Sequence, residues 1–167
     1  LIFVDTEGLY EIACVSNPRI QQLVIEGISE SHQKALHLKA ATGLLARNAR
    51  RVTSIAHQVA VHYLAAGEIG EALPLLEQAT QRAARRRNTK KVLELTELAL
   101  ENEQSLASEL GEQTQGLFVK IRAYRGRALF SADELESAIL LLEKALEGLD
   151  GRENAPLLLE VNVDLAA

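Results

Sequence analysis

Over most of the chain, apolar residues return every three or four positions, the spacing of one helix face. Ile55, Ala56, Val59, Ala60, Tyr63 and Leu64 predict a helix capped by Thr53 or Ser54 and ended by Gly67, a residue suited to the left-handed C′ position. A second helix is predicted from about Ile69 to Arg87. Pro74 falls early in it, so the hydrogen bond to Gly70 is lost near the first turn, at the cost of a mild kink at most. Asn88 or Thr89 opens a helix that turns Val92, Leu95, Thr96, Ala99 and Leu100 inward. A turn is expected between Asn102 and Gly111, followed by a long helix over Glu112 to Phe130. Asp133 then caps a helix carrying Ile139, Leu142, Ala145 and Leu146 and ending at Gly148.

Upstream, Ser29 opens a helix with Ala35, Leu36, Leu38, Ala40 and Leu44 at helical spacing, fading at Arg47 to Arg50. Asn17-Pro18 starts a shorter one with Ile20, Leu23, Val24 and Ile28. The first sixteen residues differ. Leu1 to Val4 and Leu9 to Val15 are β-prone runs around Asp5-Thr6-Glu7-Gly8, the pattern of a β-hairpin. After Gly151 to Asn154, a loop, Ala155-Pro156 begins an apolar helix that runs out at Ala167.

Residues 56–79 and 122–145 align without gaps at an offset of 66. Ala72, Leu76 and Ala79 fall on Ala138, Leu142 and Ala145, Ala60 falls on Gly126 and Tyr63 on Leu129. Small residues at Ala60, Gly126, Ala72 and Ala138 let two antiparallel helices approach closely, while Tyr63 and Leu76 fill the space beside them. Each helix pair leaves an apolar face for the next pair to cover.

Over Thr53–Gly148 this pattern resembles the tetratricopeptide repeat family, carried by Ala60, Tyr63, Gly67, Ala72, Leu76 and Ala79, then Gly126, Leu129, Leu135, Ala138, Leu142 and Ala145. The resemblance implies an all-α right-handed superhelix of antiparallel helix hairpins, seven or eight helices in all, behind a short N-terminal β-hairpin. A wider resemblance rests on Tyr10-Glu11-Ile12, on SHQKALHLKAATGLL with its Leu36-His37 pair, and on HQVAVHYLAAGEIGEALPLLEQA. It is similar to the stretch of large bacterial signal-transduction ATPases and transcription regulators where a winged-helix element hands over to tetratricopeptide-like repeats. That implies residues 1–28 as a remnant of the winged-helix element and 29–167 as the repeat domain, cut at both ends. The implied function is non-catalytic: protein interaction or effector sensing inside a larger cytoplasmic regulator. It also implies a concave face bearing Ser54, His57, Val61, Leu64 and Ala65 from one repeat and Lys120, Ala123, Arg127, Phe130 and Ser131 from the other. Some members clamp a peptide's terminal carboxylate with Lys and Asn there; Val61 stands where the Asn belongs, which disfavours that clamp.

Composition narrows the classes. Apolar residues are 47% and charged residues 25% of 167, a soluble balance. Leu and Ala supply a core that three Tyr, three Phe and no Trp cannot. No apolar run reaches the ~18 residues of a membrane span. A single cysteine excludes a disulfide framework and a cysteine-rich zinc site. Methionine is absent even at position 1, which predicts an excised part of a longer chain.

Charge is unevenly spread. Residues 47–91 carry nine basic and three acidic groups, residues 92–167 six basic and fifteen acidic. Arg82, Arg85, Arg86, Arg87, Lys90 and Lys91 place six cations in ten residues, and Arg47, Arg50 and Arg51 fall at the same end of the neighbouring helices. Two readings exist. Cations complement the C-terminal end of a helix dipole, or they form an anion site for nucleic acid, nucleotide or an acidic partner. No aromatic residue interleaves them, which argues against stacking of a single strand.

Catalytic and metal chemistry is not signalled. His32 and His37, like His57 and His62, are five apart, whereas two helical ligands share a face at three or four. His37 is expected at a helix junction. Cys14 has no base beside it in sequence. Gly111 to Gly116 is followed by Leu117-Phe118 where a phosphate loop needs Lys-Ser/Thr. The expectation is no enzyme, no cofactor and no metal; a protein or peptide partner, or other domains of the parent chain; and no membrane. An anion- or nucleic-acid-binding helical domain using 82–91 is the alternative.

Overall fold

The computed structural model describes residues 2–6, 11–15, 19, 26–103, 112–148 and 161–162. Their body is all-helical: α1 (Glu30–Arg47), α2 (Val52–Ala66), α3 (Ile69–Arg85), α4 (Thr89–Glu101), α5 (Glu112–Phe130) and α6 (Leu135–Gly148). Ile2–Thr6 (β1) and Glu11–Val15 (β2) run antiparallel with Phe3 opposite Cys14. The turn anticipated around Gly8, the helix from Pro18, the turn before Gly111 and the helix from Pro156 lie outside the described residues. Short links join α1 to α2, α2 to α3, α3 to α4 and α5 to α6, and each helix packs on the next. α3 also packs on α5.

Three helix ends share one construction. After α2, Gly67 N–H donates to the Leu64 carbonyl and Glu68 N–H reaches back to the Tyr63 carbonyl. After α3, Arg87 and Asn88 make the same pair of bonds to Ala84 and Ala83. After α5, Asp133 and Glu134 make it to Phe130 and Leu129. This is the Schellman arrangement, and it puts the C′ residue at positive φ: 85° at Gly67, 54° at Arg87 and 67° at Asp133. Asp133 therefore closes α5, and the carbonyl of Glu134 accepts the first bond of α6, from Ala138. That corrects the sequence expectation that Asp133 caps α6. In the same way Arg51 holds the cap position of α2, while the Ser54 hydroxyl donates 2.7 Å to the Arg51 carbonyl instead of capping. Asn88 does cap α4, accepting from Lys91 N–H at 3.1 Å.

The offset of 66 survives in three dimensions. Gly67 and Asp133 are equivalent αL residues, and Glu68 and Glu134 are equivalent carbonyls receiving Ala72 and Ala138 N–H. Ala60 and Gly126 are both buried. At Gly126 a methyl group would stand 2.7 Å from Leu142 Cγ and 3.3 Å from the Ala138 carbonyl, so α5 and α6 meet too closely for any side chain there. The core runs through Val59 and Tyr63, Leu73 and Leu76, Leu95, Phe118 and Ile121 to Leu142, with Val161 in the same cluster.

Two apolar stripes read from the sequence are displaced. In α1 the side toward α2 carries His37, Ala41, Leu44 and Leu45, while Ala35, Leu36 and Leu38 are exposed. In α6 Ala138, Leu142 and Ala145 are buried, and Leu135 and Ile139 face outward. α1 and α6 are the outermost described helices. An end helix has apolar residues on two faces and a described neighbour on one, so spacing alone does not choose the face.

Candidate functional site

Antiparallel alternation brings the C-terminal ends of α1, α3 and α5 to the same end of the molecule as the N-terminal ends of α2, α4 and α6. That end collects Arg47, Arg50 and Arg51, the run Arg82 to Lys91, and Arg127. Its acidic residues are Glu94 on α4 and Asp133, Glu134 and Glu136 on the α5–α6 side. A direct bond ties two of these helices: Arg82 Nη1 donates to the Thr53 carbonyl at 2.9 Å, from the last turn of α3 to the first turn of α2.

The turn 86–88 stands as a ridge between two grooves. The first, about 280 Å³, lies between α2, α3 and α4, with Ser54 and His57 on one wall, Arg82 and Arg86 on another, and Asn88 and Lys91 on the third. The second, about 370 Å³, lies between α3, α4 and α5, with Arg87, Asn88, Tyr124, Arg127 and Ser131 around it. The residues expected on one concave face are thus divided. Ser54 and His57 line the first groove, and Arg127 and Ser131 the second. Ala123 is fully buried and belongs to neither. Val61 is exposed and Leu64 is half-buried against the core. Phe130 is half-buried. Lys120 is close enough to Glu77 on α3 to favour its ionised form, although burial pushes the Glu77 carboxyl above its usual range.

The dipole argument separates the cations into two groups. Arg82 and Arg85 occupy the last turn of α3, where positive charge is welcome. Lys90 and Lys91 occupy the first turn of α4, and Arg51 the cap of α2, and neither of these first turns holds an acidic residue. There the helix dipole opposes them. Lys91 finds Glu94 at 2.7 Å, and this hydrogen bond holds the Glu94 carboxyl below its usual range. No carboxylate among the described residues lies within ion-pair distance of Arg50, Arg51, Arg85, Arg86, Arg87 or Lys90. Burial, and after it the charge of Lys91, push the His57 imidazole below its usual range, against an opposing pull from Glu94.

A second constellation escaped the sequence reading. His37 of α1 and His62 of α2 meet with their Nδ1 atoms 2.9 Å apart and their ring centroids at 5.2 Å. Spacing within one helix could not show a pair formed between two helices. Burial, then the neighbouring His37, lower the His62 pKa. Among the described residues no three His, Cys, Asp or Glu side chains come together as a metal cluster. Nor is any helix of the described residues long and apolar enough to cross a membrane. Comparison with models of known families, with curated protein sequences and with solved structures gave no match.

Proposed function

We propose that the chain is a non-catalytic helical-repeat module for protein interaction or effector sensing. In this reading residues 29–167 form a tetratricopeptide-like right-handed superhelix, and residues 1–28 are what remains of a winged-helix element. The parent is a cytoplasmic bacterial signalling ATPase or transcription regulator whose switch the module biases. The observation that carries the reading is the repetition of one helix-turn-helix unit at an offset of 66, with the same turn hydrogen bonds after Tyr63 and Leu129 and with buried Ala72, Leu76 and Ala79 matched by buried Ala138, Leu142 and Ala145. Stacked units of this kind bury their cores against neighbours and leave long surfaces free for partners.

Photo-crosslinking tests the scaffold. A crosslinking amino acid at exposed Val61, or at Phe130, is expected to capture one protein partner in cells, and the same amino acid at Gly43 is not. Equal capture from all three positions, or from none, overturns the reading. The gene upstream of Leu1 is expected to encode a phosphate-binding loop; a reading frame without one removes the ATPase parent.

A second reading, an anion-binding helical domain, draws on the cations at the first turns of α2 and α4. Dipole complementarity does not account for them.

A further inference from the structure

We propose that the groove between α2, α3 and α4 docks an acidic peptide segment, its carboxylates held by Arg82, Arg86 and Lys91 and by the Asn88 side-chain amide N–H groups. The proposal stands on the charge and shape of this corner and not on the repeat reading. Three observations carry it.

The first is convergence. α2, α3 and α4 each contribute polar groups to one groove of about 280 Å³. Arg82 uses one of its five N–H groups on the Thr53 carbonyl, which fixes the guanidinium at the rim with donors to spare.

The second is that part of the corner's charge is placed against the interest of the fold: Lys91 and, beside the groove, Lys90 and Arg51 oppose helix dipoles, while Arg82 and Arg86 at the end of α3 suit its dipole. At a helix N-terminus, Ser, Asp or Glu stabilises and Lys or Arg does not. The chain has Arg51 at the cap of α2 and Lys90 and Lys91 in the first turn of α4. Four consecutive positions, Arg85 to Asn88, follow without an acid. A local rule broken at several places on one surface, with no compensating bond inside the described residues beyond Lys91–Glu94, points to compensation from outside. Anionic groups entering the groove would meet the cations together with the N-terminal end of α2, which has no side-chain cap.

The third is the floor. Ala79, Ala83 and Leu95 lie under the cations, and no Phe, Tyr or Trp lines the groove. Aliphatic stems of Glu or Asp side chains fit such a floor. A single strand of nucleic acid binds by stacking successive bases on aromatic rings, and this groove offers one imidazole, His57, and no larger ring.

The test is fluorescence anisotropy of the 167-residue chain with three probes at low salt: a labelled octaglutamate peptide, a labelled single-stranded DNA and a labelled duplex. Octaglutamate is expected to bind more tightly than either DNA and to weaken as salt rises. Arg86→Gln, at an exposed position, should weaken the peptide by about tenfold or less, and Arg86→Gln with Lys91→Gln by more than about tenfold. Lys39→Gln and Lys144→Gln, away from the corner, should leave it unchanged, and circular dichroism checks that each variant is folded. Tighter binding of either DNA overturns the proposal in favour of a nucleic-acid surface. Peptide binding that Arg86→Gln with Lys91→Gln does not alter, or that the two control variants weaken equally, overturns the groove. Absence of peptide binding overturns the proposal, and if sedimentation then shows self-association lost in the double variant, the occupant is the acidic half of a second copy.

Discussion

His37 and His62 share one hydrogen bond between two helices: their Nδ1 atoms stand 2.9 Å apart across the seam of α1 and α2, 25 residues apart in sequence. One ring must donate and the other accept, so at least one imidazole is neutral. Two imidazolium ions at this distance would repel, which adds to the effect of burial on His62.

The pH dependence follows with a definite sign. The folded-state pKa of His62 lies below its unfolded value, and so does that of His57. The unfolded chain then takes up protons before the folded chain does. The stabilisation is complete above the unfolded pKa of histidine and is lost as pH falls through it toward the folded value. The two histidines should therefore make the thermal midpoint drop between about pH 7.5 and 5, against the opposite effect of the Glu77 carboxyl, which burial raises. His62→Gln should reduce that drop without abolishing it, because His57 still titrates. Because Glu77 pulls the other way, the assignment is checked by difference: a pH profile that His62→Gln leaves unchanged contradicts it.

Gly126→Ala should destabilise the chain. The added methyl meets Leu142 Cγ and the Ala138 backbone, and the backbone cannot step aside. Overpacking of this kind costs about 1–3 kcal/mol, offset by about 1 kcal/mol of helix propensity. A net loss of up to about 2 kcal/mol is expected in urea unfolding, and a gain would mean that α5 and α6 sit farther apart.

Asp133→Gly should stabilise. Asp133 holds φ 67° at the place where the equivalent unit has Gly67 at φ 85°. Glycine relieves the left-handed strain, and part of that gain is offset by the entropy glycine adds to the unfolded chain; the remainder is about 0.5 kcal/mol. The reciprocal change, Gly67→Ala, should cost about 1 kcal/mol. Denaturation midpoints of the two variants moving in the same direction would break the equivalence.

Arg51→Asp should raise stability by about 1 kcal/mol by supplying the cap that α2 lacks and removing a cation from the positive end of its dipole. The same change should weaken octaglutamate binding. A variant that gains stability while losing affinity is the signature of a residue kept for a ligand. A loss of stability would show that Arg51 serves the fold.

The elements most legible in the sequence were those with punctuation at both ends. Gly67 and Asn88 fixed the ends and starts around α2, α3 and α4, and the repeated small residues Ala60, Ala72 and Ala138 marked the seams. Asp133 was misread because an aspartate suits both a helix start and a left-handed stop. Leu36, Leu38 and Ile139 were misread because outer helices carry apolar residues on a face that no described neighbour covers. The basic end was legible as a cluster, since four of its members are consecutive or nearly so. Its division into two grooves was not, because the ridge at 86–88 depends on α3 packing against α5 as well as α2 and α4.

That central placement of α3 sets how the molecule opens. α3 is gripped by α2, α4 and α5, whereas α1 makes its substantial contact among the described helices with α2 alone. Backbone amides of α3 should therefore exchange with solvent last, only when the whole array unfolds, and those of α1 first, through local opening. Any ligand in the groove between α2, α3 and α4 would grip the slowest-opening part of the chain and leave its first helix free to come and go.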